Sequence, residues 1–132
     1  MDKVVHFEIP ADNLKRAGKF YASVFGWKLE PAKGMEDQYH MIQTVDVDKK
    51  TMMPKEAGAI NGGLMKRTGK GGDSTPVLVI NVSSLDEYLK KAQKAGAKLV
   101  MEKQIVMGMG WYARVTDTEG NVIGIWETIP RK

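Results

Sequence analysis

His6 and Glu8 are the two residues whose types and spacing point most directly to chemistry. They lie two positions apart in the segment VVHFEI, and because side chains alternate across a β-strand, both point to one face. An imidazole beside a carboxylate can act as an acid–base pair or contribute to a metal site. We therefore predict His6 and Glu8 as the catalytic candidates. The structural alternative is a core histidine that is hydrogen-bonded to Glu8 or to a neighbouring strand.

Tyr112 and Arg114 form a second polar pair with the same spacing. In the strand predicted around them, we place both side chains inward, and Ala113 and Val115 towards a helix, because a small and a branched residue suit helix packing. Arg114 has two alternative roles. In the first, Arg114 forms a buried ion pair with Glu8, which would be structural. In the second, Arg114 has no partner and favours a ligand that carries a carboxylate or phosphate.

The elements that must position these side chains begin with a strand at Val4–Ile9, which we expect Pro10 to end. Asp12 or Asn13 caps the following helix, whose apolar residues recur at steps of three and four until Gly26 ends it. Three more strands are predicted, around Trp27 and Leu29, at Tyr39–Val47 and at Ala59–Met65. The first half of the chain therefore has the order βαβββ.

The same order begins again after the connector Thr68–Pro76, which is rich in glycine. A strand at Val77–Val82 is followed by a helix with a capping box, Ser84 and Glu87, that Gly96 ends. The last three strands are predicted at Ala97–Met101, Trp111–Val115 and Asn121–Trp126.

This internal repeat determines the predicted fold. The run Gly58 to Gly62 matches the run Gly120 to Gly124. We predict an α+β fold of one domain, residues 1–132, with similar modules at about 1–67 and 76–132. The tandem βαβββ modules would form a curved mixed sheet around a concave cavity, with the helices on the convex side.

Four segments resemble the vicinal oxygen chelate superfamily, which contains glyoxalase I, bleomycin-resistance proteins and extradiol dioxygenases. These segments are the opening strand with His6, FYASVFGW at 20–27, GAINGGL at 58–64 and GWYARVTDTEGNVIGIWE at 110–127. The last is the most specific, because an Asp-Thr-Glu-Gly-Asn turn joins an aromatic and an apolar strand. We expect Gly120 and Asn121 to accept positive φ in that hairpin.

The resemblance implies where a metal ion would bind. In metal-dependent members, one ligand comes from the first and one from the last strand of each half, and the matching positions are His6, Gly62, Val77 and Gly124. Only His6 has a donor side chain, so we predict no metal or other cofactor, and glyoxalase I activity is disfavoured. A displaced site of His6, Glu8 and His40 is the alternative that would restore metal chemistry.

The predicted cavity defines the candidate ligand-binding residues. Gly62 and Gly124 would leave room for a ligand, and Trp126 could stack on a planar molecule, although it could equally belong to the core. The predicted ligand-binding set is His6, Glu8, Gly62, Leu64, Val77, Val79, Tyr112, Arg114, Gly124 and Trp126.

The function that follows is metal-free binding of a small aromatic or amphipathic molecule, as in the bleomycin-resistance members that the chain resembles. One alternative is an enzyme of the lyase, isomerase or dioxygenase type that uses His6 and Glu8 or a displaced metal site. Another is a module that binds a partner protein.

Composition limits the setting in which this function would operate. The chain has 132 residues, no cysteine and a net charge of +4 with dispersed lysines. We therefore expect a cytoplasmic protein without disulfides that binds neither nucleic acid nor membrane, because no concentrated basic face or long apolar run is present. The resemblance adds the expectation of a homodimer.

Overall fold

The computed structural model describes residues 1–130, which form eight strands and two helices. They divide into two compact units. His6–Thr68 is the first half, and residues 69–130, together with Met1–Val5, are the second half. The single-domain organisation stays a prediction.

The first half has four strands and one helix in the predicted βαβββ order. The strands lie in the order β2-β3-β4-β1, in which β1 and β4 are parallel and the other neighbours antiparallel. Their bounds are β1 Lys3–Ala11, α1 Leu14–Phe25, β2 Lys28–Pro31, β3 Tyr39–Gln43 and β4 Asn61–Lys66.

Strand β1 continues through Pro10, so the prediction that this proline ends the strand is wrong. Pro10 pairs with Met65, and Ala11 pairs with Lys66. Proline removes one backbone donor but keeps its carbonyl, and its fixed φ is compatible with an extended strand. The strand ends at Ala11, and the helix cap follows two residues later, at Asn13.

Helix α1 has the predicted ends, and Asn13 rather than Asp12 is its cap. The Asn13 side chain accepts a hydrogen bond from the backbone N–H of Arg16 at 2.9 Å. At the other end Gly26 adopts a left-handed φ of 71° and donates to the carbonyl of Ala22. The helix packs Leu14 against a core that includes Ile42 of β3.

The second half repeats this arrangement. Its strands lie in the order β5-β8-β7-β6, with β5 parallel to β8 and the other pairs antiparallel. The bounds are β5 Val77–Asn81, α2 Leu85–Lys94, β6 Lys98–Val106, β7 Gly110–Thr116 and β8 Val122–Thr128.

Helix α2 begins at the predicted cap, where Ser84 accepts from the backbone N–H of Glu87 at 3.3 Å. It ends one residue before the predicted stop: Ala95 is the C-cap, and Gly96 follows with a φ of 106°. Leu85 anchors the helix on a core that contains Val115.

The hairpin between β7 and β8 depends on Asp117. Its carboxylate accepts from the backbone N–H groups of Glu119 and Asn121 and from the Asn121 side chain, at 2.8 to 3.0 Å. These hydrogen bonds lower the pKa of Asp117, because they stabilise its charged form. Of the two residues that could accept a positive φ here, Gly120 adopts one, 84°, and Asn121 does not.

The sequence analysis matched Gly62 with Gly124, and the strand pairing shows that this match is wrong by one residue. Gly63 lies opposite Met41 of β3, and Gly124 lies in the same place opposite Arg114 of β7. On the parallel side, Gly63 is level with Glu8 and Gly124 with Val79. Gly63, not Gly62, is therefore the structural counterpart of Gly124.

The α+β class and the tandem βαβββ modules are confirmed. Each helix covers one face of the four strands in its own half. We call the other face of each half its helix-distal face, and the candidate site residues are located with reference to it.

Candidate functional site

The helix-distal face of the first half carries His6 and Glu8, as their alternation predicts. Their neighbours in β1, Phe7 and Ile9, pack against the α1 core instead. Since paired strands keep their faces in register, Gly63, level with Glu8, shares the helix-distal face. Glu8 is only 7% exposed, so this face contains a buried carboxylate.

Tyr39 completes this group from the start of β3. Its hydroxyl lies 2.8 Å from Nε2 of His6. Its ring lies directly over Gly63, where a Cβ atom would overlap the ring carbons. The glycine thus creates a flat slot on the sheet, and the tyrosine ring fills it with its hydroxyl directed at the imidazole.

Burial controls the electrostatics of His6. Loss of solvent lowers the pKa of the imidazole below its usual value of 6.5, and the nearby negative charge of Glu8 raises it by a smaller amount. The ring is therefore held in its neutral form near pH 7, in which one nitrogen can accept a proton.

Gly62 and Leu64, two predicted ligand-binding residues, lie on the wrong face for that role. Leu64 is fully buried in the α1 core, and the backbone and ring of Phe7 occupy the space where a side chain on Gly62 would lie. The prediction matched the repeat one residue out of register, and a shift of one reverses the face of every side chain in a strand. Gly63 is the β4 glycine that faces His6.

His40 does not join His6. It follows Tyr39 in β3 and pairs with Leu64, so its side chain lies on the opposite face. Its Nε2 atom is 2.9 Å from the carbonyl of Glu36. Among residues 1–130, no three His, Cys, Asp or Glu side chains come together as a metal-binding group, and the displaced site is not formed.

The second half places Tyr112 and Arg114 as predicted. Ala113 and Val115 are fully buried in the core beneath α2, and the alternating residues therefore lie on the helix-distal face. Gly124 is paired with Arg114 and shares that face.

Arg114 is buried, with 4% of its surface exposed. Its Nε donates to the hydroxyl of Tyr112 at 3.0 Å, and its Nη1 donates to the carbonyl of Gly71 in the connector at 2.9 Å. The alternative in which Arg114 is a cation without a partner is therefore wrong. The guanidinium is already used to hold Tyr112 and to fix the connector.

Aromatic rings also fill the space that glycines leave in the second half. A Cβ on Gly124 would overlap Tyr112, and one on Gly110 would overlap the ring of Trp126. Val77 and Val79, predicted to line the cavity, are at most 2% exposed. As the side chains stand, this face offers a ligand little accessible surface, so the room expected above Gly124 is absent.

A shallow recess of about 230 Å³ lies on the outer strands of the first half. None of the predicted site residues lines it. Its lining residues are Lys28, Leu29, Glu30, Met41 and Gln43.

Tyr39 and Gly63 are the site residues that the sequence reasoning missed. The signal was present, because Tyr39 and Tyr112 occupy equivalent places in β3 and β7. Aligning the segment YHMI at 39–42 with YARV at 112–115 would have found the tyrosine and corrected the glycine register.

Comparison with known proteins identifies the family. The profile of the Glyoxalase/Bleomycin resistance protein/Dioxygenase superfamily matches residues 3–125. The chain belongs to this superfamily. No curated protein matches it significantly.

Solved structures agree on the fold of this superfamily member. Methylmalonyl-CoA epimerase from Mycobacterium tuberculosis is 20% identical with a TM-score of 0.64, and the match covers 96% of this chain and 87% of that one. A Streptomyces coelicolor methylmalonyl-CoA epimerase variant in complex with 2-nitronate-propionyl-CoA has a TM-score of 0.68 at 13% identity, with 98% and 96% covered. A superfamily member from Vibrio splendidus 12B01 gives 0.62 at 11%, with 96% and 99% covered. These identities show the fold alone.

The donor residues do not fit the metal site that the resemblance implies. Of the four positions that the resemblance matches to metal ligands, only His6 has a side chain that can bind an ion. In the observed register Gly63 takes the place of Gly62, and it also lacks a side chain. Val77 and Gly124 offer no donor atom either.

Neither helix of residues 1–130 combines the length and apolar character needed to cross a membrane.

Gly63→Ala should destabilise the protein by about 1–3 kcal/mol, because the new methyl group overlaps the Tyr39 ring. Gly18→Ala is the matched control. Its Cβ would make ordinary contacts in α1, 3.4 Å from Leu29 and 3.9 Å from Leu64, and alanine favours a helix by about 0.5–1 kcal/mol. Urea unfolding of both variants measures the difference, and an unchanged Gly63→Ala midpoint would contradict the proposed fit.

The free energy of unfolding should rise with pH in the window just below 6.5. The pKa of His6 is lowered in the folded state, so the unfolded chain binds more protons there, and stability is lost as the pH falls through that window. Urea unfolding between about pH 5 and 8 would show this dependence. It should weaken in His6→Gln and persist in the control His40→Gln; equal slopes in all three proteins would refute the assignment.

Proposed function

We propose that the chain binds a small aromatic or amphipathic molecule without a metal ion, at the helix-distal face of the first half. The observation that carries this proposal is the slot over Gly63, where His6 and Tyr39 meet beside the buried Glu8. A neutral imidazole, a carboxylate and an aromatic wall can orient a ligand that is partly polar and partly planar.

The lack of suitable donors supports binding without metal. A divalent ion held by nitrogen and oxygen ligands needs several converging side chains. Around His6 the helix-distal face supplies Glu8, a tyrosine hydroxyl that His6 already contacts, and a glycine. This set suits hydrogen bonding to an organic ligand better than coordination of an ion.

A thermal-shift screen in the presence of EDTA tests the proposal. The panel would contain aromatic and amphipathic compounds, including metal-free bleomycin and propionyl-CoA. We expect at least one compound to raise Tm saturably by several degrees, since a ligand at about 100 times its Kd contributes about 2.7 kcal/mol. His6→Ala should reduce the shift, and His40→Ala, altered on the opposite face, should keep it. A panel without any saturable shift in EDTA would count against metal-free binding, whether or not the same compounds raise Tm when the chelator is left out.

A second candidate is proton transfer by His6, which the depressed pKa of the imidazole favours. The Tyr39 hydroxyl at 2.8 Å would hold the ring in place for an isomerase-type step. The fold shared with methylmalonyl-CoA epimerases supports this candidate only weakly, because the identities are low.

Exchange of the proton next to the thioester carbonyl of methylmalonyl-CoA in D2O tests this candidate. A catalytic His6 should accelerate deuterium uptake, and His6→Ala should lower the rate by roughly 10²–10⁴-fold. Mass spectrometry of the thioester gives the rate. Exchange at the uncatalysed rate, or full exchange by His6→Ala, would remove His6 from the scheme.

We also propose that the protein acts in the cytoplasm as a homodimer. The absence of cysteine suits a reducing compartment. On α1, Phe20, Val24 and Phe25 are each more than half exposed, and apolar surface of this kind is typical of a contact with another chain.

A further inference from the structure

Both halves of the chain fill a glycine slot with a tyrosine. Tyr39 covers Gly63, and Tyr112 covers Gly124 at the equivalent place of the repeat. In each case the phenol hydroxyl meets a basic group, Nε2 of His6 in the first half and Nε of Arg114 in the second. The same arrangement thus occurs in each half: a tyrosine ring packs flat on a glycine, and its hydroxyl is hydrogen-bonded to His6 or Arg114.

The slot over Gly63 fits a hydroxylated ring both in shape and in hydrogen bonding, as the Tyr39 side chain demonstrates. Its floor is a strand backbone without a side chain, so it takes a planar group in close contact. His6 can donate to or accept from a hydroxyl, depending on its tautomer. A phenol therefore satisfies both the shape and the hydrogen bond, whereas a ring without the hydroxyl leaves a partly buried imidazole nitrogen without this partner.

Both tyrosine hydroxyls are hydrogen-bonded, and the two rings differ in how deeply they are buried. Tyr112 is 7% exposed, lies 6.3 Å from Trp126 between ring centroids and accepts a hydrogen bond from the buried Arg114. Tyr39 is partly exposed, stands at the first position of its strand and follows the turn at 32–38. Because more of its surface already faces solvent, Tyr39 is the ring that can turn out of its slot with the smaller loss of buried surface.

We propose that the slot over Gly63 is a phenol-binding subsite, which Tyr39 occupies until the hydroxyaryl group of a ligand replaces it. This inference rests on the proposed binding function and specifies its ligand class. The ligand ring lies on Gly63 with its hydroxyl on Nε2 of His6, and the displaced Tyr39 ring turns outward to cover the edge of the bound molecule.

Competition with Tyr39 sets the expected affinities. A ligand binds only to the fraction of molecules in which the slot is free, so its apparent Kd exceeds the intrinsic Kd by that factor. If Tyr39 fills the slot in about nine molecules of ten, removing its ring tightens binding about tenfold. Removing the hydroxyl from the ligand should weaken binding about fivefold to tenfold, the usual contribution of one hydrogen bond.

The first arm of the test uses the unmodified chain and 4-methylphenol, the side chain of tyrosine as a free molecule. The chain has two histidines, so ¹H–¹³C correlation NMR resolves one imidazole in the slot and one on the opposite face. We expect saturable shifts of the His6 signals and unchanged His40 signals. Toluene should shift the His6 signals only at about fivefold to tenfold higher concentrations and should leave the His40 signals unchanged.

The second arm compares Tyr39→Ala with Tyr39→Phe by titration calorimetry. Tyr39→Ala opens the slot and should bind 4-methylphenol at least about tenfold more tightly than Tyr39→Phe, in which a ring still fills it. Circular dichroism establishes that both variants are folded. If Tyr39→Ala does not fold, the NMR arm with the unmodified chain decides.

An unmoved His6 signal in the unmodified chain would overturn the proposal, even if Tyr39→Ala gains affinity, because the ligand would then not displace Tyr39. Equal affinities of folded Tyr39→Ala and Tyr39→Phe would also overturn it. Neither result touches the broader binding function, which fails only if the EDTA-treated chain shows no saturable ligand across the whole thermal-shift panel.

Discussion

The fit between a tyrosine ring and a glycine in the last strand of each half is the contact on which the helix-distal faces depend. Gly63 and Gly124 allow a ring to rest on the sheet backbone, and any larger residue would push the ring away. The hydroxyl of each tyrosine then lies at a fixed distance from a basic group, 2.8 Å from His6 and 3.0 Å from Arg114. One packing constraint thus positions the chemistry of both halves.

The same packing gives the two halves different properties. On this face of the second half, the valines are buried and the buried Arg114 is hydrogen-bonded to Tyr112 and Gly71. In the first half the groups are an imidazole, a carboxylate and a partly exposed phenol ring. Because burial lowers the pKa of His6, its ring can exchange hydrogen-bond partners without carrying a charge. Recognition of a neutral polar group is the chemistry that this combination favours.

Most of the fold could be predicted from the sequence, because caps and periodicity are local signals. Asn13, Gly26 and Ser84 delimit the helices, and the duplicated βαβββ order follows from the repeat. The site was only partly predictable. Alternation placed His6 and Arg114 on the helix-distal face, as the structure has them. The register between the halves is a non-local property, and an error of one residue assigned Gly62 and Leu64 to that face. The end of β1 was predicted wrongly at Pro10, because a strand loses little stability from one missing backbone N–H donor. The packing of tyrosine rings on the glycines depends on tertiary contacts, which the spacing of residues along the sequence does not encode.

Membership of the superfamily does not determine the chemistry of this chain, since the metal-binding positions that the resemblance implies carry glycine and valine here, apart from His6. The central proposal is that the helix-distal face of the first half binds an organic ligand rather than an ion. Elemental analysis of protein purified without chelators measures this most directly. The account predicts variable traces of metal far below one equivalent, and one stoichiometric equivalent of Ni, Zn, Fe or Mn that is lost in His6→Ala would contradict it.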